Sequence, residues 1–235
     1  MAKKNKEISS SNLIKVKPIT EGQKSVFETW KKGQNQFLFG CAGTGKTFIS
    51  LYLAMQDVLD LKTKYDKVIL VRSLIPTREI GFLPGDEEDK AALYQVPYQN
   101  MVKFMFEQPN EQAFNMLYDR LKNQGSLYFL STSFLRGLTF DNSIIIVDEC
   151  QNLNFHELDT ITTRVGQDSK IVFCGDFSQT DLLKQNEKNG LHDFLRILME
   201  MQELNCIEFN IGDIVRSGLV RNYLIEKTKL GMGIE

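Results

Sequence analysis

The chain has 235 residues and a net charge of -2, with 28 Lys and Arg against 30 Asp and Glu. That length suits one α/β domain with a full core, and the charge balance gives no global positive field to draw in nucleic acid, leaving at most a local basic groove. Four cysteines (Cys41, Cys150, Cys174, Cys206) without C-x-x-C spacing argue against a zinc site and for a reducing compartment. No apolar run approaches the ~18 residues needed to span a bilayer. The basic stretch Met1–Glu7 lacks the apolar continuation of a signal peptide. A cytoplasmic setting is expected, that of the host if the chain is phage-encoded.

Residues 1–18 are polar and serine-rich and read as a flexible arm, with one domain expected over 19–235. Thr20 is a plausible N-cap for a helix carrying Val26, Phe27 and Trp30 at helical spacing. Gln23, upstream of the glycine-rich turn, has two readings: a surface glutamine, or an amide pairing with the amino group and ring nitrogen of adenine.

The apolar run Phe37-Leu38-Phe39 enters Gly40-Cys41-Ala42-Gly43-Thr44-Gly45-Lys46-Thr47, which satisfies G-x-x-x-x-G-K-[ST] at every fixed position. The glycines let successive backbone N–H groups of Gly40, Ala42, Gly43, Thr44 and Gly45 turn inward toward phosphate. The helix starting near Lys46 adds the positive end of its dipole. Lys46 is placed to reach the β- and γ-phosphates, and the Thr47 hydroxyl to ligate Mg²⁺. The pattern predicts binding of a nucleoside triphosphate, ATP with Mg²⁺.

Downstream, Lys67–Arg72 reads as a buried parallel strand with Arg72 at its carboxyl end, the edge where open α/β sheets bind ligands. A long connection follows from Leu74 to Gln124. It opens on the turn Gly81-Phe82-Leu83-Pro84-Gly85 and continues in helical patterns through Val102, Met105 and Phe106, then Phe114, Leu117 and Leu121. Further strands are expected at Leu127–Leu130, Ile144–Glu149, Lys170–Asp176 and Cys206–Phe209. Strands alternating with helices predict an α/β fold, a doubly wound, mostly parallel sheet with helices on both faces.

Asp148-Glu149 follows four β-branched residues. Asp148 is expected to hold Mg²⁺, and Glu149 to orient and deprotonate the attacking water. Gln179, beyond the fifth strand, suits a contact to the γ-phosphate or that water. For Lys46, Glu149 and Gln179 to converge, the fifth strand must lie between the P-loop strand and the Asp148 strand. Arg216 has two readings, an arginine finger neutralising the transferred phosphoryl group or a solvated arginine at a helix start.

Together these motifs resemble the PhoH-like ATPases. The marks are the P-loop, the Gly-Phe-Leu-Pro-Gly turn, Arg136-Gly137 with Thr139, and Asp148-Glu149-Cys150-Gln151-Asn152. They continue in Gly175-Asp176 with Gln179 to Asp181, and in Asp213-Ile214-Val215-Arg216. The resemblance implies a RecA-like P-loop NTPase similar to the N-terminal motor domain of superfamily 1 helicases. It further implies Gln23 as adenine reader, Gln151 and Gln179 as phosphate-linked sensors, and Arg216 as the finger. RNA or single-stranded DNA as partner, and self-association into a ring, a hexamer in that family's pattern, are implied as well. Cys41 and Cys150 stand where the family has proline and alanine, and Ser217-Gly218 where it has His-Pro. Three functions are weighed: an ATPase motor acting on RNA or single-stranded nucleic acid, an ATP-dependent switch or assembly factor that does not translocate, and a small-molecule kinase, which Glu149 and Gln179 disfavour because they suit water activation better than substrate capture.

Overall fold

The computed structural model describes residues 6–73, 87–132, 135, 137–176 and 190–230, with side chains from 93 onward in the second stretch. Six strands form one sheet: β1 (Asn35–Gly40), β2 (Lys67–Arg72), β3 (Leu127–Ser131), β4 (Ser143–Val147), β5 (Lys170–Gly175) and β6 (Leu204–Phe209). Their order is β3-β2-β4-β5-β1-β6 and every pairing is parallel. β5 therefore lies between the P-loop strand and the Asp148 strand, as convergence on one phosphate requires.

Both faces of the sheet are covered, and the strands divide their side chains by simple alternation. Leu38, Val68, Leu70, Ile144, Ile146, Val172 and Cys174 enter one core. Phe37, Phe39, Ile69, Val71, Ile145, Val147, Ile171 and Phe173 enter the other. The first core is closed by α1 (Glu21–Lys31), α2 (Lys46–Leu59), α3 (Glu87–Met105) and α4 (Glu111–Asn123). The second is closed by α5 (Phe155–Thr162) and α6 (Leu191–Glu200). The Thr20 hydroxyl accepts from the Gln23 N–H at 3.3 Å, which caps α1 as the sequence predicts. A last helix, α7 (Gly218–Lys229), buries no residue.

The N-terminal stretch departs from the expected solvated arm. Over residues 6–18 it packs along the first core, with Ile8 and Leu13 buried. The Ile14 N–H donates to the Met105 carbonyl at 2.8 Å, and Tyr52 Oη donates to the Ile14 carbonyl while accepting from the Val16 N–H. Four apolar residues spaced through a polar segment are enough to hold it. Serine content obscures them, because it reports the exposed side of the segment.

Among the described residues, no helix is long and apolar enough to cross a membrane. Cys150 and Cys174 are free and buried, and burial pushes both thiols up, so they act as small apolar groups.

Candidate active site

Because all six strands run the same way, the carboxyl ends of β1, β4 and β5 deliver their loops to one edge. β1 ends at Gly40 with φ +115, and a Cβ there would lie 2.0 Å from the Phe209 carbonyl oxygen of β6. Only glycine permits that approach, which lets the Cys41 N–H donate to the same carbonyl at 2.8 Å as the chain turns into the loop. The loop ends at Gly45, the residue preceding α2. Its interior is tied by the Thr44 hydroxyl, which donates to the Cys41 carbonyl at 3.1 Å.

Lys46, the first residue of α2, is buried within the loop it follows. Its ammonium donates to the Cys41 carbonyl at 2.8 Å and pairs with the Asp176 carboxylate at 2.7 Å. Longer contacts of 3.3 Å reach the Gly40 carbonyl and the Thr44 hydroxyl. Thr47, one residue on, donates its hydroxyl to Asp148 Oδ1 at 2.6 Å. The second oxygen of that carboxylate accepts from the Tyr98 hydroxyl at 2.7 Å. Burial pushes the Asp148 carboxyl up, while the Thr47 and Tyr98 donors and the Arg72 guanidinium pull it down. The Tyr98 phenol is raised by burial and by the Asp148 charge, so its hydroxyl remains a donor.

The Thr47 hydroxyl and Asp148 carboxylate set two oxygen donors side by side at the P-loop. That pairing fits Mg²⁺, a hard cation that takes one or two protein oxygens and completes its shell with water and phosphate oxygens. Among the described residues, no group of three or more His, Cys, Asp and Glu gathers as a dedicated metal cage.

Glu149 adopts φ +51, left-handed backbone that is uncommon for a residue with a side chain. Its Oε2 accepts from Gln151 Nε2 at 2.5 Å, and Gln151 Oε1 accepts from the Asp176 N–H at 3.1 Å. One amide thus ties the carboxylate after β4 to the loop after β5. Burial raises the Glu149 carboxyl, and the Asp148 and Asp176 charges raise it further, the direction that improves a general base.

Gln23 is 3 % exposed, which removes the surface reading. Its Oε1 accepts from the Ile19 N–H and its Nε2 donates to the Thr44 carbonyl, each at 3.0 Å. The amide thereby ties the P-loop at Thr44 to the chain that leads into α1 at Ile19. Arg216 lies beside the P-loop of its own chain: a Cβ built on Gly43 would meet Arg216 Cγ at 3.0 Å and Leu224 Cδ1 of α7 at 2.9 Å. The Val215 N–H donates to the Gly43 carbonyl at 3.1 Å, fixing that approach. Gln179, Arg136 and the turn at 81–85 lie outside the described residues.

The roles of two residues escape sequence reading, although one of them stands in the Gly175-Asp176 motif. Asp176 supplies the counter-charge to Lys46, and Tyr98 reaches Asp148 from α3. Tyr98 falls in helical step with Val102, Met105 and Phe106, and a residue with a polar tip on a core-facing stripe is the available signal.

A family model described as "PhoH-like protein" matches residues 15–226. Over 207 residues the chain is 32% identical to a PhoH-like protein of Synechocystis sp., covering 88% of this chain and 60% of that one. It is 32% identical over 208 residues to a PhoH-like protein of Bacillus subtilis, covering 88% and 61%. With Protein PhoH of Escherichia coli K12 the identity is 31% over 206 residues, covering 87% and 56%. The chain thus spans 56% to 61% of the length of these relatives. Among solved structures, the large terminase of a thermophilic bacteriophage matches with a TM-score of 0.53 at 12% identity, over 90% of this chain and 50% of that one. That likeness is one of fold.

Proposed function

The chain belongs to the PhoH-like family, and from that premise we propose that it is a P-loop ATPase, which hydrolyses ATP in a Mg²⁺-dependent reaction and uses the energy to act on RNA or single-stranded nucleic acid as a self-associated, helicase-like motor. The observation that carries the hydrolytic part is the 2.6 Å contact between Thr47 and Asp148, with Glu149 as the next residue along the same strand end. When bound, Mg²⁺ neutralises charge on the β- and γ-phosphates. Lys46 binds the same phosphates as a point charge, and the P-loop amides orient them. Glu149 takes the proton of the attacking water at its carboxylate. Arg216, alongside Gly43, offers a guanidinium to charge developing on the transferred group.

Self-association follows from mechanics. Alternating grips on a strand takes two motor domains, and in this reading a second copy of the chain supplies the other grip. The nucleic-acid part rests on the family's similarity to helicase motors.

A second reading, an ATP-dependent switch or assembly factor that does not translocate, is favoured by the net charge of -2, since a backbone-tracking groove needs local positive charge. Steady-state ATP hydrolysis by purified protein, titrated with single-stranded RNA and DNA, separates the two. Stimulation at low salt that fades as salt rises supports the motor. Turnover indifferent to both polymers supports the switch, and absence of Mg²⁺-dependent turnover rejects both.

A further inference from the structure

Among the described residues of the long β2–β3 connection, Tyr98 reaches Asp148 in the site. It sits in α3, is 2 % exposed, and donates its hydroxyl to Asp148 Oδ2 at 2.7 Å. The charge of Arg72, at the end of β2, acts on the same phenol, and its guanidinium lies over the Tyr94 ring, 5.6 Å from the centroid and one helical turn earlier. The Tyr98 ring itself packs against Phe129 of β3, with centroids 5.7 Å apart. Three elements therefore hold one hydroxyl in place.

That hydroxyl bears on a specific freedom. The terminal torsion of an aspartate is broad and two-fold, so a carboxylate held at one oxygen can still swing about the other. Thr47 holds Oδ1 and Tyr98 holds Oδ2. Both oxygens are pinned, and the edge presented toward Thr47 is fixed. Pro97, immediately before Tyr98, cannot donate to the carbonyl four residues back, which loosens α3 at the turn that carries the phenol. Leu93 and Val96 are exposed, whereas Tyr98, Val102 and Met105 are buried, so the seating of α3 depends mainly on its inner contacts.

We propose that Tyr98 is a positioning residue for the metal–nucleotide site, orienting the Asp148 carboxylate and so coupling loading of Mg²⁺-nucleotide to the seating of α3. This rests on the ATPase reading of the same site. Linkage makes the coupling reciprocal: if the seated helix favours the metal, the metal must favour the seated helix.

The test uses the full chain, a fluorescent ATP analogue and a Mg²⁺ titration followed by binding, with no turnover required. Tyr98→Phe keeps the ring and removes the hydroxyl. Its half-saturating Mg²⁺ should rise about tenfold, the scale typical of groups that orient a metal ligand, while nucleotide affinity in EDTA stays at the wild-type value. A purely structural role would lower both together or change only thermal stability. A Mg²⁺ dependence equal to wild type would overturn the proposal. As a measurement independent of the variant's folding, amide hydrogen exchange over residues 93–105 of the wild type should slow with Mg²⁺-nucleotide and not with nucleotide in EDTA. Unchanged exchange in the presence of bound Mg²⁺-nucleotide would overturn the coupling. Wild-type protein that gained no nucleotide affinity from Mg²⁺ would instead reject the ATPase reading itself, and this inference with it.

Discussion

Lys46 Nζ and Asp176 Oδ1 lie 2.7 Å apart, joining the head of α2 to the end of β5 across the mouth of the P-loop. An ammonium has three protons to donate, and here the loop carbonyls and Asp176 take them. A triphosphate oxygen must therefore compete with the carboxylate for the same charge. Asp176→Asn weakens the competitor and keeps its shape. Nucleotide affinity should rise by about fivefold, or ~1 kcal/mol, a modest figure because the carboxylate is partly exposed. Equilibrium titration with a fluorescent nucleotide measures it. A loss of affinity would show that Asp176 acts with the phosphate site and not against it.

Glu149→Gln should separate binding from chemistry. The amide still fits beside Gln151 but cannot accept a proton from water. Turnover should fall on the order of 10²- to 10⁴-fold with nucleotide affinity near wild type, whereas Lys46→Ala should weaken binding and turnover together. Single-turnover hydrolysis beside equilibrium binding distinguishes the two variants. Wild-type turnover by Glu149→Gln would remove it from the role of base.

The sheet is legible in the sequence for a physical reason. A parallel strand buried on both faces must be apolar along its whole length, and Val68-Ile69-Leu70-Val71 and Ile144-Ile145-Ile146-Val147 announce that burial without any alternation. The P-loop and Asp148 are legible because their chemistry needs fixed neighbours along the chain. Tyr98 and Asp176 are not, since each works through a partner distant in sequence: Tyr98 is fifty residues from Asp148. Gln23 falls between the two cases. Its place upstream of the loop ties it to the nucleotide site, but only the fold places its amide against the Thr44 carbonyl.

Two glycines with positive φ should respond very differently to alanine. Gly40 and Gly33 both have positive φ, but a Cβ on Gly40 meets the Phe209 carbonyl at 2.0 Å, whereas one on Gly33 meets nothing within 4 Å. Gly33→Ala should cost only the conformational term, about 1 kcal/mol. Gly40→Ala must also push β1 from β6, and a backbone clash cannot relax by a rotamer change. A loss on the order of 4 kcal/mol is expected, lowering Tm by roughly 10 °C. Thermal unfolding of both variants tests this, and equal losses would contradict the packing between these strands.

Lys170 gives stability an unusual pH slope. The residue is 1 % exposed, and its ammonium lies 4.1 Å from the centroid of the Trp30 ring and donates to the Trp30 carbonyl at 3.2 Å. Burial lowers its pKa from 10.5 to about 8, with the Asp57 charge opposing the shift. Between those values the unfolded chain holds a proton that the folded chain has released, so stability rises with pH there. Below about pH 8 the cost of burying the charge is present in full. The gain across the window is at most about 3 kcal/mol. Tyr65, whose phenol is raised by burial, opposes the trend above pH 10, so Lys170→Met is the reference. The stability of wild type relative to that variant should increase from pH 8 to pH 10.5 by urea unfolding. A constant difference would mean that the amine keeps its ordinary affinity for protons.

Arg216 lies against Gly43 of its own chain, and that placement decides how mixed assemblies should behave. Arg216→Ala should lower turnover, by about 10³-fold if the guanidinium acts as a finger, with nucleotide affinity preserved. A finger reaching into a neighbour's site would let Arg216→Ala and Lys46→Ala proteins complement each other. The first would supply an intact P-loop and the second an intact arginine. A finger serving its own site allows no such rescue, because every subunit then lacks one of the two groups. The Val215 N–H bond to the Gly43 carbonyl, at 3.1 Å, anchors the arginine to the loop that carries it, so mixtures should stay as inactive as their components. Co-purified, subunit-exchanged mixtures assayed for ATP hydrolysis across mixing ratios give the answer. A bell-shaped recovery near equal ratios would show that assembly draws Arg216 away from its own loop and into the adjoining subunit.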